Sequence, residues 1–112
     1  MMSSQFSEIS VSDFAELLNE ETFLIDVRET DEYLDGHVPG AIHIPLNEVP
    51  NRVEEFRNPQ GGVTYVICKA GGRSASACDY LAQKSLNVIN IAGGTMGWLM
   101  QGHDVVEGSQ PK

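Results

Sequence analysis

Only two cysteines, Cys68 and Cys78, occur in the 112 residues. That is too few for a disulfide framework, and reduced thiols are expected. Basic residues are scarce as well: 7 Lys and Arg face 16 Asp and Glu, for a formal charge of -9. Each phosphate contact needs a cation to release counterions, so electrostatic capture of nucleic acid or of an acidic membrane is excluded. Long hydrophobic runs are missing, since stretches such as Val63-Thr64-Tyr65-Val66-Ile67-Cys68 fall far short of the roughly 20 residues that cross a bilayer. The start Met1-Met2-Ser3-Ser4-Gln5-Phe6-Ser7-Glu8 has neither the basic opening nor the apolar run of a secretory signal, so a cytoplasmic location is expected. Repeats and low-complexity segments are absent too.

What is present fits one globular domain. An apolar fraction of 41% supplies a core, and the length suits a single domain over 1–112. Its core is expected at about 7–106, with a flexible tail over 107–112. Ser10-Val11-Ser12-Asp13 before Phe14, Leu17 and Leu18 combines a capping signal with helical apolar spacing and predicts a helix over 11–19; Ile9 before it marks a short edge strand. Phe23-Leu24-Ile25-Asp26-Val27 is nearly continuous in apolar character, as a strand buried on both faces is. A short helix over 29–35 follows, with Gly36 placed as a C-cap glycine. Ala41-Ile42-His43-Ile44 is a third strand candidate, and 46–56, interrupted by Pro50, a kinked helical segment. Asn58 to Gly62 is a turn by composition.

Val63 to Ile67 gives the clearest strand signal and runs directly into Cys68. A helix over 74–84 should turn Ala75, Cys78, Leu81 and Ala82 to the core. Val88-Ile89-Asn90-Ile91 is the last strand, and a final helix occupies 95–101. Strands alternating with helices imply a five-stranded, mainly parallel α/β sheet with helices on both faces, and ligands in such sheets gather at the carboxyl ends of the strands. Cys68 stands at such an end.

A thiolate between a strand and a helix start meets the free N–H groups of the first helical turn, and of the loop itself where the backbone curls round it. Inward-pointing amides require some residues in conformations open mainly to glycine, which gives Gly71 and Gly72 their expected role. Lys69 and Arg73 add positive charge. Such surroundings lower a cysteine pKa and make Cys68 a credible nucleophile. Because the chain is acidic overall, attraction of an anion must come from these local groups.

Three separated segments resemble the rhodanese homology domain family. They are Leu24-Ile25-Asp26-Val27-Arg28-Glu29 continuing from Glu32-Tyr33-Leu34-Asp35-Gly36-His37-Val38-Pro39-Gly40-Ala41 to Pro45; the loop Cys68-Lys69-Ala70-Gly71-Gly72-Arg73-Ser74; and Ile91-Ala92-Gly93-Gly94-Thr95-Met96-Gly97-Trp98. The resemblance implies a three-layer rhodanese-like fold and a ping-pong sulfurtransferase with Cys68 as the catalytic persulfide carrier. It implies that Lys69, Ala70, Gly71, Gly72, Arg73 and Ser74 bind substrate and that Asp26, Arg28 and His37 support the site. The implied donor is thiosulfate or another sulfane compound, and the implied acceptor is cyanide, a low-molecular-weight thiol or a partner protein. Two alternatives stay open: a non-enzymatic regulatory or binding module on the same fold, and a phosphatase or arsenate reductase relative. The latter is disfavoured because the loop from Cys68 to Arg73 has six residues where that branch carries seven, and because Ile67 stands where those phosphatases usually have histidine.

Asp26 and Arg28 read equally as pocket supports or as an ordinary strand-end ion pair. For His37 a structural hydrogen-bonding role is expected. His43 and His103 are isolated, no histidine–cysteine spacing fits zinc, and neither metal nor cofactor is expected. Cys78 reads as inert packing; Trp98, with Met96, Leu99 and Met100, reads as core of the last helix. Paired acids such as Asp31-Glu32 and Glu54-Glu55 read as solvated surface.

Overall fold

Five strands and four helices make up the computed structural model, which describes residues 6–112; the opening residues, where no secretory signal is read, lie outside the described residues. In chain order they are β1 (Ser7–Ser10), α1 (Val11–Leu17), β2 (Phe23–Asp26), α2 (Thr30–Asp35), β3 (Ile42–His43), β4 (Thr64–Ile67), α3 (Gly72–Gln83), β5 (Val88–Ala92) and α4 (Gly94–Met100). The sheet order is β1-β5-β4-β2-β3, and every pairing in it is parallel, where a mainly parallel sheet was expected. β4 is the middle strand, so the residue that follows it emerges at the centre of the sheet.

Alternation along the strands divides the core into two layers. Ile25, Val66 and Val88 face a cluster completed by Ala77, Cys78 and Leu81 of α3 and by Val49 and Phe56. Leu24, Ile67 and Ile91 face the opposite cluster with Val11 and Phe14 of α1, Tyr33 of α2 and Trp98 of α4. Helices therefore cover both faces, which is why β2 and β4 read as nearly unbroken apolar runs. No helix of the described residues is long and apolar enough to cross a membrane.

Several local expectations shift. The side chain of Ser10 caps α1 by accepting from the Asp13 N–H at 3.1 Å, but the helix closes at Leu17, two residues early. Pro50 cannot donate to a helical ladder, and 46–56 forms two 3-10 turns, Leu46–Asn51 and Val53–Phe56. In α3, Ala77 takes the core position expected for Ala75. Gly36 ends α2 with φ 161°, an extended conformation, so left-handed geometry is not its reason. A Cβ there would stand 2.9 Å from Val105 Cγ2, and close approach explains the glycine.

The segment expected to be a flexible tail is docked. Gly108 N–H donates to the Leu34 carbonyl at 2.9 Å, and the Pro111 carbonyl accepts from Gly40 N–H at 2.8 Å. His37 is fully buried beneath it, with Nδ1 2.8 Å from the Tyr33 carbonyl and Nε2 2.8 Å from that of Gln110. Its ring stacks on Tyr33 at 3.7 Å, and the Tyr33 hydroxyl donates to the Ala41 carbonyl.

Candidate active site

β4 delivers Cys68 to the carboxyl edge of the sheet, and the chain turns at once into α3. Gly71 makes that turn possible: it is the N-cap of α3 at φ 111°, a left-handed conformation that residues with side chains rarely adopt. Gly72 carries no such demand. Its φ is not positive and a Cβ there would meet nothing within 4 Å, so the equal weight expected of the two glycines is corrected.

The turn wraps donors around the sulfur. Gly71 N–H donates to Cys68 Sγ at 3.1 Å, and the buried Ser74 hydroxyl lies 3.2 Å from the same atom. Cys68 is only 1% exposed. Burial alone pushes its thiol up, but the Ser74 hydroxyl and the amides of Ser74, Gly71 and Ala70 outweigh it, and the net shift is below the ordinary cysteine value. Among the described residues no histidine hydrogen-bonds to Sγ, so the thiolate is stabilised in place by fixed donors. Cys78, on α3 in the same apolar cluster, is pushed up to about 12 by burial and stays a thiol.

The back of the loop rests on the start of α4. Thr95 donates to the Cys68 carbonyl twice, from N–H at 2.8 Å and from Oγ1 at 3.1 Å, and Met96 N–H donates to the Lys69 carbonyl at 2.9 Å. The approach is so close that a Cβ on Gly94 would stand 2.5 Å from both of those carbonyl oxygens. Asn90 of β5 supports the turn from the side, its Nδ2 lying 3.3 Å from the Gly71 carbonyl. Neither Thr95 nor Asn90 was expected at the site. The double glycine before Thr95 was the available signal.

Arg73 differs most from expectation. Its Nη1 and Nη2 donate to Glu32 Oε1 and Oε2 at 2.7 and 2.9 Å, so its charge is matched by an acid read as solvated surface. Glu29 N–H also donates to Glu32 Oε1 at 2.9 Å, within a capping box that fixes the glutamate at the start of α2. These donors hold the Glu32 carboxyl down at about 2. The other paired acids are matched too: Glu54 with Arg57 and Glu55 with Arg52.

Lys69 and Ala70 are exposed at the mouth. Asp26 and Arg28 form a buried pair, Arg28 Nη2 reaching Asp26 Oδ2 and the Gly36 carbonyl at 2.8 Å each. Burial sets this pair apart from an ordinary exposed strand-end pair, yet none of the hydrogen bonds of Asp26, Arg28 or His37 goes to the cysteine loop. Beside the loop opens a depression of about 310 Å³ whose lining includes Arg28, Glu32, Asp35, Lys69, Met96 and Leu99. Of the last helix only Trp98 is core, while Met96, Leu99 and Met100 are exposed. A larger hollow of about 540 Å³ lies at the start of β2, against Phe23, Ile42 and Pro59, away from the thiol.

A cysteine at the centre of a parallel sheet, ringed by amide and hydroxyl donors that favour its ionised form, defines an α/β protein with a candidate sulfur nucleophile. Comparison with known proteins gives the particular family: residues 10–101 match the rhodanese-like domain, and the chain belongs to that family. It is 35% identical over 96 residues to a putative sulfurtransferase, YtwF, of Bacillus subtilis, covering 84% of this chain and 91% of that one. It is 37% identical over 70 residues to the thiosulfate sulfurtransferase PspE of Escherichia coli, covering 62% and 67%. A solved rhodanese-related protein from Thermoplasma volcanium superposes with a TM-score of 0.82 at 31% identity, covering 90% of this chain and 98% of that one.

Proposed function

We propose that this protein is a sulfurtransferase that carries sulfane sulfur as a persulfide on Cys68. The observation that carries the reading is the convergence of Gly71 N–H and the Ser74 hydroxyl on Sγ at 3.1 and 3.2 Å. The thiolate attacks the outer sulfur of a donor such as thiosulfate. The donor's S–S bond breaks, its electron pair leaves with sulfite, and the cysteine keeps the sulfur as a persulfide anion. A thiophilic acceptor, whether cyanide, a small thiol or a partner protein's cysteine, then attacks the terminal sulfur and returns the thiolate. Loop donors that stabilise the thiolate also suit the persulfide anion and the charge spread between them. The names borne by the Bacillus and Escherichia relatives support sulfur transfer, and the second supports thiosulfate as a donor to try.

Purified protein given thiosulfate and cyanide should form thiocyanate, and intact mass spectrometry after donor alone should show one added sulfur atom on Cys68. Cys68→Ser should abolish both signals. No added sulfur from any sulfane donor refutes the reading.

A further inference from the structure

Three cations surround the mouth of the cysteine loop, and two of them are already matched. Arg28 is committed to Asp26 and the Gly36 carbonyl, and both terminal nitrogens of Arg73 are committed to Glu32. Glu32 is itself locked by the Glu29 N–H, so it does not swing aside at little cost. Lys69 is exposed and makes no ion pair among the described residues, but Asp35 lines the same depression. Around the mouth Arg28, Arg73 and Lys69 are balanced one for one by Asp26, Glu32 and Asp35, in a chain of net charge -9. A dianion arriving here meets the loop donors but no surplus of positive charge. The remaining wall is apolar, with Met96 and Leu99 42% and 50% exposed.

We propose that Glu32 is a specificity-determining residue: by clamping Arg73 it turns the site away from the dianion thiosulfate and toward sulfane sulfur borne on an organic group with a single negative charge. The proposal rests on the reading of Cys68 as a persulfide carrier. With an organic thiosulfonate, the Cys68 thiolate attacks the outer sulfur, the S–S bond breaks, and its electron pair departs with the organic sulfinate. The charge is the same before and after, and the organic group lies against Met96 and Leu99.

The test compares thiosulfate with benzenethiosulfonate, a monoanion with the same kind of S–S bond. Wild type, Glu32→Gln, Arg73→Gln and the double variant are assayed, with persulfide on Cys68 read by intact mass. Freeing Arg73 in Glu32→Gln should raise kcat/KM for thiosulfate roughly tenfold and for the thiosulfonate roughly threefold, the range a focused charge in a cleft gives. The gain should shrink as salt is added. Arg73→Gln should move the donor ratio the opposite way, with the double variant between the two. A ratio unchanged in both single variants, including equal loss with both donors, overturns the proposal and leaves Glu32 a purely structural role. Should Glu32→Gln fail to fold, Lys69→Gln on the exposed mouth reads the same electrostatics: it should lower thiosulfate turnover more than thiosulfonate turnover, and equal effects overturn the proposal. Failure of wild type to gain sulfur from either donor refutes persulfide carriage itself, a separate outcome from sulfur gain with a fixed ratio.

Discussion

Ser74→Ala removes one hydroxyl from a fully buried position and one donor, 3.2 Å away, from the Cys68 sulfur. A hydrogen bond to a charged group contributes about 1.5–3 kcal/mol, and about 1.4 kcal/mol is a factor of ten in a protonation equilibrium. Sulfur is a weak acceptor and the backbone donors of Ser74, Gly71 and Ala70 remain, so the lower end applies: roughly a tenfold loss of thiolate at a pH below both midpoints. The surviving thiolate is more basic and hence more nucleophilic, by roughly threefold for a Brønsted slope of about 0.4–0.5. Alkylation of Cys68 by iodoacetamide should therefore run roughly threefold slower in the variant at low pH and roughly threefold faster on the high-pH plateau. The two pH–rate curves must cross. Cys78, held as a thiol up to about 12, adds no background across most of that range. Parallel curves, with the variant slower at every pH, would show that Ser74 only packs the turn, and superimposed curves would show that the amides alone set the thiolate.

The glycines should separate cleanly. Gly94→Ala, whose Cβ would stand 2.5 Å from two backbone oxygens at φ 59°, should destabilise by about 2 kcal/mol or more in urea denaturation and impair persulfide loading, whereas Gly72→Ala, with open space around it, should change stability by less than about 1 kcal/mol. Asp26→Asn leaves the buried Arg28 without its carboxylate and should cost about 3 kcal/mol in the same assay; retention of wild-type stability would show that Arg28 is rescued by solvent. Glu32 is depressed from 4.5 to about 2 in the folded protein. Its pairing thus contributes stability that is fully present above pH 4.5 and lost as the pH falls toward 2, and wild type should lose stability across that window more steeply than Glu32→Gln.

The legible parts of this molecule are those whose causes are local. Cys68, Gly71 and Ser74 lie within seven residues, and a strand ending in cysteine before glycine and a helix is enough to foresee donors gathering on a sulfur. The buried strands are legible for a similar reason, since covering on both faces writes itself as continuous apolar sequence. Glu32 was illegible because its partner lies 41 positions away, and beside Asp31 it looks like any surface acid. The docking of 107–112 was hidden for another reason: carbonyls of Gln110 and Pro111 accept the bonds, and backbone acceptors leave no mark on side-chain composition. Gly36 was placed correctly but for the wrong cause, because Val105 approaches from far along the chain.

The start of α4 has a physical role that joins two of the sequence segments. In a trans peptide the carbonyl and the following N–H point in opposite directions. Thr95 and Met96 draw the carbonyls of Cys68 and Lys69 toward α4, so the N–H groups of Lys69 and Ala70 are turned the other way. For Ala70 that direction is toward the sulfur, where its amide joins those of Gly71 and Ser74 in favouring the thiolate. The positive φ of Gly94 and its missing Cβ are what let α4 come close enough to hold these carbonyls. The Gly93-Gly94-Thr95-Met96 segment, more than 20 residues after the cysteine, therefore acts on Cys68 at one remove, by fixing the Lys69–Ala70 peptide plane whose amide favours the thiolate.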